Sequence, residues 1–453
     1  MAVSIIILAA GQGKRMHSLL PKVMQPLAGK PLLQHVVDTS VRIGADDICV
    51  VYGHGGKAVP AAFAGQKLRW ALQAEQLGTG HAVQQAMPET PEGNRVMILF
   101  GDVPLLRPVT LSRLLDSCGA DEIAVLTVDM QDPFGYGRII REGGNVVRNV
   151  EEKEATAEER AVTEINSGVM VCPAGRLKGW LDGLDNRNSQ GEYYLTDIIS
   201  LAVADSCMVH GVKADSWMEV MGINDKKQLA EAERALQARL VDELMTQGVG
   251  FADPARVDIR GSLNCGKDVY IDVNAVFEGE VSLGDNVRIE SNNLIRDSQI
   301  GSGTIVRSNC HIEGAKIGDD CEIGPFSRLR PGAELADNVK VGNFVEIKKS
   351  TIASGSKVNH LTYIGDTDIG KDVNVGAGTI TCNYDGANKY RTTIGDNAFI
   401  GSGVELVAPV DVGAGATIGA GSTISKFAPA DALTLERAKQ VTVPGWKRPK
   451  KKS

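Results

Sequence analysis

Two blocks of the chain repeat an aliphatic residue at every sixth position. Ile317, Ile323, Leu329, Leu335, Val341 and Ile347 form the first; Ile394, Ile400, Leu406, Val412, Ile418 and Ile424 form the second. A glycine follows Ile394, Ile400, Val412 and Ile418. A strand repeats every two residues and a helix about every 3.6, so neither alone generates this period. One short strand joined to one tight turn does, if each unit stacks on the next with its aliphatic residue inward. Glycine suits the turn because a backbone without Cβ adopts positive φ readily. The repeats predict a parallel β-helix, whose coils bury apolar side chains only against neighbouring coils. A looser form of the period runs from Val269 to Ile312.

The first half follows another pattern. Val3 to Leu8 is an apolar run without a basic leader, which reads as a strand buried on both faces and not as a signal peptide. It leads into Leu8-Ala9-Ala10-Gly11-Gln12-Gly13-Lys14-Arg15-Met16 and then Leu20-Pro21-Lys22. Small residues after a strand let backbone N–H groups approach phosphate oxygens, and Arg15 and Lys22 add positive charge. No GK[ST] closes the loop, and Met16 stands where a dinucleotide fingerprint needs its third glycine. The loop is either a phosphate site or an ordinary βα turn. Further strands are expected at Ile48–Tyr52 and Val96–Phe100, the latter ending in Gly101-Asp102. A carboxylate at that sheet edge is either a Mg²⁺ ligand or a turn cap before Pro104. Gln73 to Thr79 is a polar loop suited to reading a base or sugar. Phe134–Arg138, Glu151 and Glu164–Gly168 read as loops.

At 453 residues the chain exceeds one core, and its net charge of −8 argues against general nucleic-acid binding. Its eight cysteines show no CxxC pair and read as reduced, buried thiols of a cytoplasmic protein. No apolar run reaches the roughly 20 residues that span a bilayer. Leu229, Leu236, Leu240 and Leu244 mark an amphipathic connecting helix. Two interruptions of the repeats draw notice: Lys357–Tyr363, which holds His360, and Thr381–Tyr390, which stretches the coil spacing to 13 residues between Thr381 and Ile394. Insertions in a solenoid map to loops on one face, often the binding face. His360 beside that loop is either a general base or a solvated surface histidine. Lys447 to Ser453 is a basic tail, read as a disordered, solubilising end.

The glycine loop through Pro21-Lys22, Phe100-Gly101-Asp102, Gly191-Glu192-Tyr193-Tyr194-Leu195-Thr196-Asp197 and the hexapeptide half closely resemble one family of bacterial bifunctional enzymes. In it, an N-acetylglucosamine-1-phosphate uridyltransferase is fused to a glucosamine-1-phosphate N-acetyltransferase. The resemblance covers essentially the whole chain, with one departure: Lys14 replaces the usual threonine of the loop. It implies an α/β, Rossmann-like uridyltransferase domain at 1–226, a linker helix at 227–247, and a left-handed β-helix acetyltransferase with a basic tail at 248–453. The handedness comes from the family alone.

By the same resemblance, Leu8, Ala9, Ala10, Gly11, Gln73, Gly78, Thr79, Phe100 and Gly101 would hold the uridine nucleotide. Gly137, Glu151, Asn166 and Asn224 would hold the sugar and its phosphate. Arg15 and Lys22 would offset charge on the departing pyrophosphate, and Asp102 with Asn224 would bind Mg²⁺. His360 would be the acetyltransferase base. Arg330, Lys348, Tyr363 and Asn374 would contact the sugar phosphate. Ala377, Asn383, Tyr384, Ser402, Ala420 and Arg437 would line the acetyl-CoA site. UTP and acetyl-CoA would be co-substrates, and a homotrimer with acetyl sites between neighbouring β-helices would be the assembly. Two rival readings remain: a single-activity sugar nucleotidyltransferase whose β-helix serves assembly or regulation, and a trimeric scaffold without catalysis.

Overall fold

The computed structural model describes residues 2–451; Met1 and the tail residues Lys452 and Ser453 lie outside the described residues. The chain divides into two compact units, Met1–Leu236 and Gln237–Ser453. The division falls inside one long helix, Lys226–Thr246, and not before it. Hydrogen bonding gives the reason: Lys226 bonds back to Gln25, whereas the Gln237 side chain bonds both N–H and C=O of Ile259.

The first unit is built on nine strands: β1 (Val3–Leu8), β2 (Asp47–Tyr52), β3 (Arg69–Leu72), β4 (Arg95–Phe100), β5 (Ile123–Asp129), β6 (Arg138–Glu142), β7 (Asn145–Val150), β8 (Glu164–Pro173) and β9 (Val209–Lys213). Their order is β9-β5-β8-β4-β1-β2-β3, with the β6–β7 hairpin attached to β8. Ile5, Ile6 and Ile7 are fully buried. Ile5 and Ile7 belong to the core layer on one face, Ile6 and Leu8 to the layer on the other, as a strand covered on both sides requires. β1 runs parallel to β2 on one side and β4 on the other. The chain order reverses there, and such a switch point leaves a crevice at the carboxyl ends of the strands.

One expectation fails locally. Glu164–Gly168 is not a loop but the first half of β8, antiparallel to β5, and Arg138 opens β6. The polar composition had a different cause: the β8 register shifts between Asn166 and Met170, so those residues leave the regular ladder.

The second unit is a parallel β-helix. In one column Ile289, Val306, Ile323, Val341, Val358, Val375, Ile400 and Ile418 stack coil upon coil, each 3% exposed or less. Every aliphatic residue at the sixth positions of the two hexapeptide blocks is buried. Six residues make one face, and three faces return the chain to its starting column. The first coil begins early, where Gly250–Phe251 pairs with Tyr270–Ile271.

Candidate active sites

In the first unit, Leu8 and Phe100 pair in register at the ends of β1 and β4, and the Gly101 N–H donates to the Leu8 carbonyl at 2.9 Å. A cavity of about 250 Å³ opens above this junction. Leu8, Ala9, Ala10, Gly11, Lys22, Gln73, Gly78, Thr79, Phe100 and Asp102 all line it. Close backbone approach explains its glycines. A Cβ on Gly101 would come within 3.3 Å of Ala9, Val23 and Leu33. Gly13, at φ +61°, would place a Cβ 2.5 Å from that of Lys22.

The Gln73–Thr79 loop is stitched to the Gly191–Asp197 segment. Tyr193 N–H donates to Leu77 C=O, Gly80 N–H to Tyr193 C=O (both 2.8 Å), and Leu195 N–H to Thr79 Oγ1 at 3.0 Å. These bonds cross more than a hundred residues and shape one wall of the crevice. Arg15 lies apart: it is exposed on the short turn Lys14–Met16, which is anchored by buried Met16, and it does not line the cavity.

A second cavity of about 470 Å³ adjoins the first, and Thr79, Phe100 and Glu192 line both. Glu151 and Gly168 belong to it. Gly168 is at φ +81°, and a Cβ there would strike the Phe100 ring at 2.6 Å. The Asn166 N–H donates to Gly137 C=O at 2.9 Å, and its Oδ1 accepts from Gly168 N–H at 2.8 Å. Its buried Nδ2 has no partner, a donor left for a ligand. Glu151 Oε1 accepts from Asn149 Nδ2 at 2.8 Å and Thr196 Oγ1 at 3.1 Å. Asn224 joins the site through the backbone: Ile223 N–H donates to Asp102 C=O at 2.9 Å. Asn224 Nδ2 is tied to Gly222 C=O at 3.1 Å, so its Oδ1 accepts from Lys22 Nζ, also at 3.1 Å. Lys22 Nζ donates to the Asp102 carboxylate as well.

On the β-helix, His360 pairs in register with Asn343, and successive turns stack above it. Gly378 N–H donates to His360 C=O at 3.3 Å, Gly403 to Ala377 at 2.7 Å, and Gly421 to Ser402 at 2.9 Å. His360, Ala377, Ser402 and Ala420 thus occupy one turn column, and a Cβ on Gly421 would meet Arg437 at 3.9 Å. Around the corner, on the following face, the strand Arg328–Leu329, just before Arg330, and the strand Glu346–Lys348 stack toward Tyr363–Gly365, Lys348 in register with Gly365. Arg330 Nη1 donates to Glu346 at 2.8 Å. The insertion folds back as a small hairpin, Tyr384 bridging Lys389, and brings the Lys389 amine beside Lys348. That neighbour, with burial and Arg330, holds the Lys348 ammonium below its ordinary pKa. Such crowded cations call for an anion. Asn383 is buried and donates to Asp366 at 2.5 Å, while Tyr384 is exposed. Asn374 sits on the preceding face, in register with Lys357. One chain therefore brings Arg330, Lys348 and Tyr363 together but not Asn374.

Residues 5–166 match the family model of the MobA-like NTP transferase domain, and 314–349 and 391–426 match the bacterial transferase hexapeptide model. The chain is similar along its whole length to proteins called bifunctional protein GlmU. Identity is 57% to that of Aromatoleum aromaticum over 99% of both chains. It is 56% to that of Azoarcus sp. (99% and 100% covered) and 53% to that of Chromobacterium violaceum (100% and 99%). The chain belongs to the GlmU family.

Three residues of this chain enter its candidate sites without a sequence signal of their own. Asn149 supports Glu151, Asn343 meets His360, and Lys389 completes the cationic group. Only the length of the insertion hinted at Lys389. The residues present also fit a magnesium ion. Mg²⁺ binds through one or two carboxylates plus substrate phosphates and retains several waters. Asp102 offers one carboxylate and Asn224 a neutral amide oxygen, and a cation, the Lys22 ammonium, already lies between them. Among the described residues no cluster of three or more His, Cys, Asp or Glu forms an all-protein metal cage.

Proposed function

We infer that the chain is a bifunctional enzyme that makes UDP-N-acetylglucosamine from glucosamine-1-phosphate, acetyl-CoA and UTP. The β-helix acetylates the amine, and the α/β unit then transfers the uridylyl group with release of pyrophosphate. The observation carrying this reading is the coexistence, on a chain matched to a GlmU relative over 99% of both lengths, of a crevice suited to phosphates and the His360 column. A β-helix used only for assembly has no need of His360, Arg330, Lys348 and Lys389 together.

In the uridylyl reaction the sugar phosphate oxygen attacks the α-phosphorus of UTP, and the bond to pyrophosphate breaks. The nucleophile is already ionised, so the chain needs no nucleophilic side chain. Lys22 offsets charge on the phosphates. Mg²⁺, held by Asp102 and Asn224, would add neutralising charge there. Asn166 Nδ2 and Glu151 hold the sugar, an assignment supported by the unpartnered amide.

In the acetyl reaction His360 takes the proton from the glucosamine amine as its nitrogen attacks the thioester carbon; CoA leaves as the thiolate and is protonated. Asn343 Oδ1 lies 2.9 Å from His360 Nδ1. An amide oxygen only accepts, so Nδ1 carries the hydrogen and Nε2 is left as the base. Arg330, Lys348 and Lys389 take the sugar phosphate, with Tyr363 beside them. Ala377, Asn383, Tyr384, Ser402, Ala420 and Arg437 follow the coenzyme along the turn column.

The assembly is a homotrimer through the β-helix. Phe326, Phe344 and Leu361 stack in one turn column beside Asn343 and His360, all at positive φ and at least half exposed. Bulky apolar residues in that backbone region are rare and costly unless buried by a partner. A neighbouring copy that covers this ladder could also bring Asn374 to the sugar. No described helix is long and apolar enough to cross a membrane, and we place the enzyme in the cytoplasm, beside its UTP and acetyl-CoA. Mass spectrometry of products, each substrate omitted in turn, tests the reading. UDP-N-acetylglucosamine lost with any omission supports it; product formed only from pre-acetylated sugar phosphate overturns the acetyltransferase half.

A further inference from the structure

The position between Asp102 and Asn224 is held by a cation of the chain itself. Lys22 Nζ donates to the Asp102 carboxylate and, at 3.1 Å, to Asn224 Oδ1. The contact is sheltered: the Lys22 side chain is 13% exposed and that of Asp102 16%. Both residues are anchored elsewhere, Asp102 through its backbone carbonyl by the Ile223 N–H and Asn224 by its side-chain amide on Gly222. Lys22 is set from the other side by the loop glycine whose missing Cβ makes room for it. The arrangement reads as a preformed cation position filled by an ammonium.

A divalent ion and an ammonium held at the same carboxylate and amide oxygen repel each other strongly in a sheltered cleft, so each weakens the binding of the other. We propose that Lys22 occupies the metal position until a nucleoside triphosphate arrives, and then exchanges to its phosphates as the metal takes Asp102 and Asn224. The triphosphate supplies a second anion for Lys22 and oxygens to complete the shell of the metal. Metal and nucleotide therefore enter as a pair, and the nucleotide-free chain resists loading by metal alone. The proposal rests on the reading of Asp102 and Asn224 as metal ligands.

Free Mn²⁺ has an electron paramagnetic resonance signal that is lost on binding, so nucleotide-free affinity is measurable on the full-length protein without turnover. Lys22→Gln is expected to bind Mn²⁺ on the order of tenfold more tightly than the natural chain. Lys22→Arg, which keeps the charge, should stay weak. Adding Asp102→Asn to Lys22→Gln should abolish the gain. Unchanged affinity in Lys22→Gln, with a further loss in the double variant, would overturn the exchange but leave the metal ligands standing. A gain that survives Asp102→Asn would remove the ligand assignment itself, and the exchange with it. Equal tightening in Lys22→Gln and Lys22→Arg would trace the effect to altered packing instead of charge, and would also overturn it.

Discussion

The two candidate sites are assembled in opposite ways. The uridylyl crevice gathers residues from far apart: Asp102 meets Asn224, and the Gln73–Thr79 loop is sewn to Tyr193 and Leu195. The acetyl site gathers almost nothing from afar. His360, Ala377, Ser402 and Ala420 meet because each recurs one coil after the last. A switch-point crevice is walled by distant segments of one chain, whereas a solenoid offers an open column of stacked turns. Separate assembly should mean separate failure.

The largest expected effect follows from His360. Replacing it with alanine removes the proposed base and should lower acetyl transfer by about 10²–10⁴-fold, with uridylyl transfer unchanged. Assays of each half-reaction on one preparation check this. Parallel loss of both would break the comparison, since it would mean the two sites are not independent.

The mirror experiment is Asp102→Asn, which keeps the shape of the side chain but removes its charge. Uridylyl transfer should fall by about 10²–10³-fold, as when one preorganised electrostatic partner of a phosphoryl reaction is lost. Acetyl transfer should hold. If raised Mg²⁺ restored full activity to this variant, Asp102 would be a minor ligand and the crevice less dependent on long-range assembly than described.

These two tests also show what could be read beforehand. The β-helix was legible to the residue, because a period of six survives any view of the sequence, and every aliphatic residue at the sixth positions of both blocks is buried. His360 stood out as an irregularity in that period. The β1 run and its glycines were equally open to inspection, since continuous burial and close backbone approach leave compositional marks. Asn224 left none. It reaches Asp102 only because Ile223 bonds the backbone of a strand end 122 positions before Asn224, and only the family resemblance pointed to it. Lys389 acts through a fold-back that only the length of the insertion hinted at, and Asn149, though it bonds Glu151 just two positions on, carries no mark of that role in its residue type. Arg15 differs in the other direction: it is charged and suitably placed in sequence, and it lies on the exposed side of its turn, outside the cavity lining.

A smaller effect separates base from support in the open column. Asn343→Ala should reduce kcat for acetyl transfer about tenfold, as loss of an orienting partner of a histidine does, with little change in KM. Asn343→Asp sharpens the test. A carboxylate at 343 favours the imidazolium, so the acidic limb of the pH profile should move to higher pH. An alanine variant that lost only stability, with kcat intact, would make Asn343 a structural residue.

The smallest effect concerns stability, and it has opposite signs in the two units. Burial, helped by the charges of Glu151, Glu154 and Asp185, pushes Asp197 up to about 6. In the β-helix, Glu278 goes the other way, because Arg296 from the next coil bonds it and holds it below the usual carboxylate range. A carboxyl raised above its unfolded value of about 3.9 holds its proton more tightly when folded, so its contribution grows as pH falls from 6 towards 4. Above pH 6 the buried charge costs stability in full. Glu278 instead stabilises above its unfolded value of about 4.5 and loses that contribution as the solution becomes more acidic through its folded pKa. Asp197→Asn should therefore be more stable than the natural chain at pH 8, by about 1 kcal/mol after allowing for solvent screening. The difference should shrink to nothing near pH 4. Thermal unfolding of both proteins across that range decides it. A constant difference at every pH would mean that the amide changes packing and not ionisation, and that crowding of carboxylates beside the sugar cavity is not what strains the first unit.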